Sequence, residues 1–275
     1  PKIVAIGKKV IQLGGLMRKK GSLKTQFSSN RGTATGGSGA PGSNPRPSSV
    51  GPSKMNKGPQ YTYDQLKPLR SLYKPILAKT ESGAGGYDAG NVTKPRAILA
   101  YGEGHAKAKH TIFRISKELL SNKHPRDVTV RTIRDLQTAN KLYASGRYQI
   151  TPGTLDSVMT AAGIEYEDYN YDEETQDILG IELLMYRRGR AGLYLSGKSD
   201  DVDGGAQSVS MEWAGVPIQY DEIGGDKKKM VYRGESFYKY VGNNAAHGDP
   251  ADIIAAMEAT RQNLDNSPEA QALFA

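Results

Sequence analysis

The sequence predicts a mainly helical α+β body behind a basic, unfolded tail. Three observations lead there. Apolar residues recur at helical spacing behind capping residues through most of residues 61–275. A glycine-rich stretch at 83–110 interrupts that periodicity and leaves room only for loop and short strands. The first sixty residues hold eight Lys and three Arg and no acid, whereas the other 215 hold 26 basic and 29 acidic residues.

The tail therefore carries +11 and the body −3, so the overall +8 is no argument for nucleic-acid binding by the body. Hydrophobic residues at 37% and aromatics at 8% are low for 275 residues folded throughout, which agrees with an unfolded portion. With no cysteine, a disulfide scaffold, a thiol nucleophile and a cysteine-ligated metal are excluded. No apolar run reaches the length of about 18 residues that a transmembrane helix needs. Pro1–Lys9 lacks the continuous apolar segment of a secretory signal, and the initial Pro reads as the trace of a removed Met.

Within the tail, residues 33–58 are Gly, Ser, Pro, Asn and basic residues, a composition that cannot offset its ordering entropy. Ahead of this linker, Ile3, Ile6, Val10, Leu13 and Met17 make an apolar stripe beside Lys8, Lys9 and Arg18–Lys20. As a helix over 3–20 it suits an anionic membrane surface, nucleic acid or a virion protein. Gly7, Gly14 and Gly15 weaken that helix, which leaves a floppy basic leader as the other reading.

In the body, Thr62 and Gln65 have capping-box spacing, with Leu66, Leu69, Tyr73, Ile76 and Leu77 following at helical period as far as Thr80. Val130, Ile133, Leu136, Asn140 and Tyr143 predict a helix after Thr129. Thr151-Pro152 opens another, stopped by Gly163. Asp172 caps a longer one to about Arg188; Val202, Ala206, Val209 and Trp213 form the next. Asp249-Pro250 opens the last, and no repeat is evident.

Among chemical constellations, the four His have no metal-binding helical spacing, and neither a phosphate loop nor a Gly-x-Ser-x-Gly elbow occurs. No metal or cofactor is expected. Asp200, Asp201 and Asp203 read as a helix N-terminus rather than a calcium loop. Glu81 is different. At the C-terminal end of the predicted helix it is partly desolvated and near the negative pole of the dipole; both favour its protonated form. Such an acid can protonate a glycosidic oxygen, although most helix-end glutamates are simply solvated.

Four segments stand together with it: Thr80-Glu81-Ser82-Gly83, Ala144–Pro152 with Gly146-Arg147-Tyr148-Gln149 inside it, Thr175-Gln176-Asp177, and Glu212-Trp213-Ala214-Gly215. In this order the chain resembles phage peptidoglycan-degrading enzymes of the lysozyme-like superfamily, the lambda endolysin group in particular, over roughly residues 62–265. The Gly-Arg-Tyr-Gln segment is the most specific part. The resemblance implies a lysozyme-like two-lobed fold with a small β region, and cleavage between N-acetylmuramic acid and N-acetylglucosamine in peptidoglycan glycan strands.

It further implies a single-acid mechanism as in lytic transglycosylases, with Glu81 protonating the leaving oxygen and then deprotonating the muramoyl 6-hydroxyl to give a 1,6-anhydro product. A hydrolase that inverts needs a second carboxylate about 6.5–9.5 Å away. Asp88 is the local candidate, but T-even phage lysozymes place an Asp nine residues after the Glu, where this chain has Gly90. Asp177 and Glu174 are the other candidates.

Ser82, Tyr148, Gln149 and Gln176 are assigned to the substrate cleft, as are Tyr238 and Tyr240, whose alternation fits a strand or cleft rim. Each has a plainer reading. Tyr148 is a core tyrosine, Gln149 a helix cap, Ser82 a helix terminator, and Gln176 and Asp177 first-turn residues favoured by the dipole. Trp213 is read as core rather than as a sugar platform. Two non-enzymatic readings stand beside the enzyme: a virion structural protein with a lysozyme-like body, and a nucleic-acid-binding protein acting through residues 1–60. For the enzyme, delivery is expected within a virion or from host cytoplasm to periplasm.

Overall fold

A computed structural model describes residues 57–73, 83–91, 100–101, 113–115, 117–241 and 244–275. The amphipathic segment at 3–20, the linker as far as residue 56, and Glu81 with Ser82 lie outside these residues. Residues 50–275 group as one compact unit, and the described part is mainly helical with a few short strands.

The chain docks on this body before Tyr61. Gly58 N donates to Tyr186 O at 2.7 Å and Gln60 Nε2 to Ala161 O at 2.8 Å. Thr62 and Gln65 then form the expected capping box at the start of α1 (Tyr63–Leu66). The predicted helix is interrupted early, and its continuation over residues 74–80 lies outside the described residues. Pro68 has no N–H for an α-type bond, so the chain tightens into a 3₁₀ turn over Lys67–Leu72, and Tyr73 is already extended.

The glycine-rich region supplies a 3₁₀ segment, Gly83–Asp88, and then β1 (Ala89–Asn91), β2 (Ala100–Tyr101) and β3 (Phe113–Ile115). With β4 (Ala144–Ser145) they make an antiparallel sheet in the order β2-β3-β1-β4. Gly90 stands opposite Ser145 and Asn91 opposite Ala144. That register joins segments more than fifty residues apart and places the turns flanking β1 and β4 side by side.

Helix α2 (Val130–Thr138) is capped by Thr129, but it ends before Tyr143. Asn140 has a positive φ of 54° and Tyr143 is exposed, so the last two predicted positions leave the helix. Helix α3 (Pro152–Ala162) runs as expected to a left-handed Gly163. Helix α4 (Glu173–Glu182) is capped by Asp172 and continues as a π turn over Leu183–Arg187. Every residue from Thr175 to Glu182 is buried, which makes α4 the axis of the core; Ile178, Leu179 and Ile181 are packed there with Leu66, Leu69, Met159 and Met257.

Helix α5 (Gly189–Leu195) packs on α6 (Val202–Ser210). Trp213 lies past the end of α6 rather than on it, yet it is buried as expected. Helix α7 (Pro250–Asp265) is not the last. Ser267 caps a further helix, α8 (Pro268–Phe274), whose Phe274 ring meets Tyr61 at 5.3 Å. Its Ser-Pro start was visible in the sequence, but seven residues give too few turns for a periodic pattern. Among the described residues no helix is long and apolar enough to cross a membrane.

One buried group is at odds with this core. Glu182, the last residue of α4, is fully buried, and among the described residues neither carboxyl oxygen has a hydrogen-bond partner. The hydroxyls of Tyr61 and Tyr73, near enough to feel its charge, are also buried without partners. An ionised carboxylate there would be desolvated with nothing to compensate it. Burial accordingly pushes the Glu182 pKa up to about 8.

The linkage has a definite sign. Below the ordinary glutamate pKa both states hold the proton, and this part of the stability is complete. As pH rises towards about 8 the unfolded chain ionises first, so stability is lost, by a few kcal/mol in total. Urea unfolding between pH 5 and 8 should show this decline, and Glu182→Gln should flatten it. Parallel slopes for the two proteins would contradict the assignment.

Candidate active site

The site begins with the turn that follows β4. Ser145 and Ile150 exchange both backbone hydrogen bonds around Gly146–Gln149, and Gly146 N donates to Ala89 O at 2.7 Å, which ties the turn to β1. Gly146 has a φ of +72°, and a Cβ there would lie 2.3 Å from Gln176 Oε1 and 2.6 Å from the Tyr171 hydroxyl. Glycine is required on both counts.

Gln176, fully buried on α4, holds three segments together. Its Oε1 accepts from Arg147 N at 2.9 Å, while Nε2 donates to Tyr171 O at 2.8 Å and to Tyr87 O at 3.1 Å. Tyr171, buried beneath, donates to Ser145 O at 2.9 Å.

Asp177, the next residue, receives the side chains that this frame delivers. Tyr148 donates its hydroxyl to Oδ1 at 2.9 Å, and the Tyr87 hydroxyl lies 3.0 Å from Oδ1 and 2.9 Å from Oδ2. Arg70 Nε donates to Oδ2 at 2.7 Å, and Arg147 Nη1 stands 3.6 Å from Oδ1. The Arg147 guanidinium also donates to the Tyr87 hydroxyl and covers the Tyr87 ring at 4.8 Å. Burial, and after it the Asp177 charge, push the Tyr148 hydroxyl well above its ordinary pKa; the same two causes raise that of Tyr87. Both phenols therefore remain donors.

Tyr148 is fixed from behind as well. Its ring lies on the α4 backbone at Gly180, where a Cβ would come within 2.7 Å of it, and its carbonyl accepts from Trp213 Nε1 at 2.8 Å. Trp213 is thus a buried prop for the site, with Glu212 beside it held by Arg187 at 3.0 Å and by Arg188. On the Asp177 side, Lys67, Pro68, Arg70, Ser71, Glu174 and Asp177 line an open cleft of about 420 Å³. Glu174 at its edge is paired with Lys67 at 2.8 Å, which holds its carboxyl below the usual range.

Several sequence-derived assignments change. Asp177 lies one turn further into α4 than a first-turn acid, and side chains rather than helix amides hold it. Gln149 caps no helix: with a φ of 46° it turns back and donates to Gly146 O at 2.8 Å, closing its own turn. Asp88 faces Arg126, 3.4 Å away, rather than Asp177 and its donors.

Tyr238 and Tyr240 are not on a strand. Turn hydrogen bonds from Lys239 N to Ser236 O and from Val241 N to Tyr238 O curl the segment. The Tyr238 hydroxyl donates to Met211 O at 2.6 Å, and the Tyr240 ring lies 4.6 Å from Lys229 Nζ, so both serve another part of the surface. Arg70 and Tyr87, both central here, were not singled out in the sequence. Neither lies in a recognisable motif, and only the fold brings them to Asp177.

Two substitutions measure how far this network holds the fold. Asp177→Asn leaves two arginines without their counter-charge and should cost about 2 kcal/mol, part of the pair being open to water. Gly146→Ala, strained in φ and crowded against Gln176, should cost at least as much. Urea denaturation reads both, and wild-type midpoints in either variant would contradict the packing described. Comparison with protein family models, with curated proteins and with solved structures finds no match.

Proposed function

We propose that the body is a lysozyme-like peptidoglycan-degrading domain of phage type, cleaving the bond between N-acetylmuramic acid and N-acetylglucosamine as a lytic transglycosylase with Glu81 as its acid and base. One observation carries this reading. The two most informative segments of the resemblance, Gly146–Gln149 and Gln176-Asp177, meet through the Arg147–Gln176 and Tyr148–Asp177 hydrogen bonds. They do so against Tyr87, which follows Glu81 by six residues. Segments kept together for one reaction are expected to converge, and unrelated matches would scatter.

The hydrogen bonding favours a single acid. A carboxylate has about four acceptor positions. Asp177 accepts from Arg70, from the single proton that Tyr87 shares between its two oxygens and from Tyr148, with Arg147 also at hand, so its oxygens are largely engaged. Asp88 and Glu174 are each engaged by a cation. In this reading Glu81 protonates the glycosidic oxygen and, as the carboxylate left behind, takes the proton of the muramoyl 6-hydroxyl as that oxygen closes on the anomeric carbon. Tyr148, Gln176 and Asp177 in this scheme position the cleft wall. The basic residues ahead of the docked Gly58 then bring the domain to an anionic surface or into a virion.

Glu81→Gln should fold as the parent does and lose peptidoglycan-clearing activity by about 10³-fold, because the proton to be transferred is gone. Retained activity would remove the site assignment. Mass spectrometry of the digest should find muropeptides lighter by one water than lysozyme products. Reducing-end muramic acid would instead identify a hydrolase.

A further inference from the structure

The exposed apolar residues are unevenly distributed. Of the seven large exposed ones among the described residues, Ile223, Met230, Tyr232, Tyr240 and Val241 fall within nineteen positions. They belong to the hairpin of β5 (Glu222–Ile223) and β6 (Met230–Val231) and to the turn that follows it. Ile223 pairs directly with Met230, so the two share a face. Tyr232, two residues on from Met230, is on the same side, while Val231 between them is buried. Ile223 and Tyr232 are each more than half exposed, at 53% and 55%.

Cations edge this face. The loop joining the strands carries Lys227, Lys228 and Lys229, held in a turn by Asp226, whose carboxylate accepts from the amides of Lys228 and Lys229 at 3.1 Å. Among the described residues, Lys227, Lys228 and Arg233 have no ion pair. The neighbouring acids are engaged: Asp221 by Arg233 N, Glu222 by Gln207, Glu235 by Lys239. Over residues 221–241 five cations stand against four acids, and the excess lies at the loop, where Lys227, Lys228 and Lys229 meet Asp226 alone, so the positive charge sits at one end of the apolar face.

We propose that the β5–β6 hairpin is a docking surface for an anionic lipid bilayer, with Ile223, Met230 and Tyr232 entering the headgroup–acyl boundary and Lys227, Lys228 and Arg233 meeting lipid phosphates. Charge complementarity sets the sign of the partner, and the shape of the face sets its kind. A glycan is bound by flat aromatic platforms, whereas the outward centre here is the branched Ile223 and the flexible Met230. The tyrosines stand where interfacial aromatics do. This site is separate from the Asp177 cluster and stands whether or not the chain cleaves peptidoglycan.

The test uses the full chain, so that the basic residues 1–60 are common to every variant. Binding is measured by sedimentation with vesicles of phosphatidylcholine alone and with about 30% phosphatidylglycerol, at low salt and at about 0.5 M, where electrostatic attraction is screened. Anionic vesicles should bind the parent and neutral ones should not. Lys227→Glu/Lys228→Glu should lower the low-salt partition coefficient at least 20-fold, at roughly fivefold for each cation lost. Ile223→Ser/Met230→Ser/Tyr232→Ser should lower the binding left at high salt about tenfold or more.

A Tyr232→Trp variant gives a reading that does not depend on the serine variant folding. Its added indole should shift to the blue on anionic vesicles and be quenched by brominated lipid chains, over a constant signal from buried Trp213. Unchanged partitioning in both multiple variants, or an indole insensitive to vesicles, would overturn the proposal. So would self-association in the ultracentrifuge that the serine variant abolishes, since the face would then bind a second copy of the chain.

Discussion

The Asp177 carboxylate is where three segments distant in sequence are obliged to meet. Arg70 comes from the 3₁₀ turn after α1, Tyr87 from the segment before β1, and Arg147 with Tyr148 from the turn after β4. Removing any one donor leaves a largely buried charge short of a partner, and such a loss is costly compared with that of an exposed pair. Gln176 does the same work for the backbone, binding Tyr87 O, Arg147 N and Tyr171 O from one side chain. Two consecutive residues of α4 thus hold one wall of the cleft in register with the core.

Helix α4 carries its two innermost acids under opposite terms. Asp177 is surrounded by donors, whereas Glu182, five residues on, is buried without any. The first is ringed by cations and hydroxyl donors; the second keeps its proton because nothing replaces the lost water. The catalytic reading needs neither to react. The proposed chemistry rests on Glu81, outside the described residues, and leaves α4 a structural role.

Much of the scaffold was legible from residue types alone. The Thr62–Gln65 capping box, Thr129, Pro152 with Gly163, and Asp172 marked helix ends because the unpaired amides and carbonyls there need local partners, which nearby side chains supply. Periodicity overshot where a single residue overrides it. Pro68 turned the first helix into a 3₁₀ segment, and Asn140 ended the helix that the spacing extended to Tyr143. Alternation misread Tyr238 and Tyr240 as strand because the Ser236 side chain, bonded to Tyr238 N, curls that stretch into turns.

In the site itself, the Gly-Arg-Tyr-Gln and Gln-Asp segments were legible as short patterns. What they do to one another was not. Arg70 and Tyr87 carry no local signature, and Asp177 read first as a helix-dipole residue and only then as a second carboxylate, with no sign of the donors that surround it. The sequence by itself determined where most of the helices start, their caps and the separation of a basic tail from an acidic body, since these depend on neighbours within a turn or two. Only the tertiary structure decided which acids are neutralised, which are left without partners and which face of the hairpin stays bare, since desolvation and hydrogen bonding depend on groups that the chain brings together from far apart.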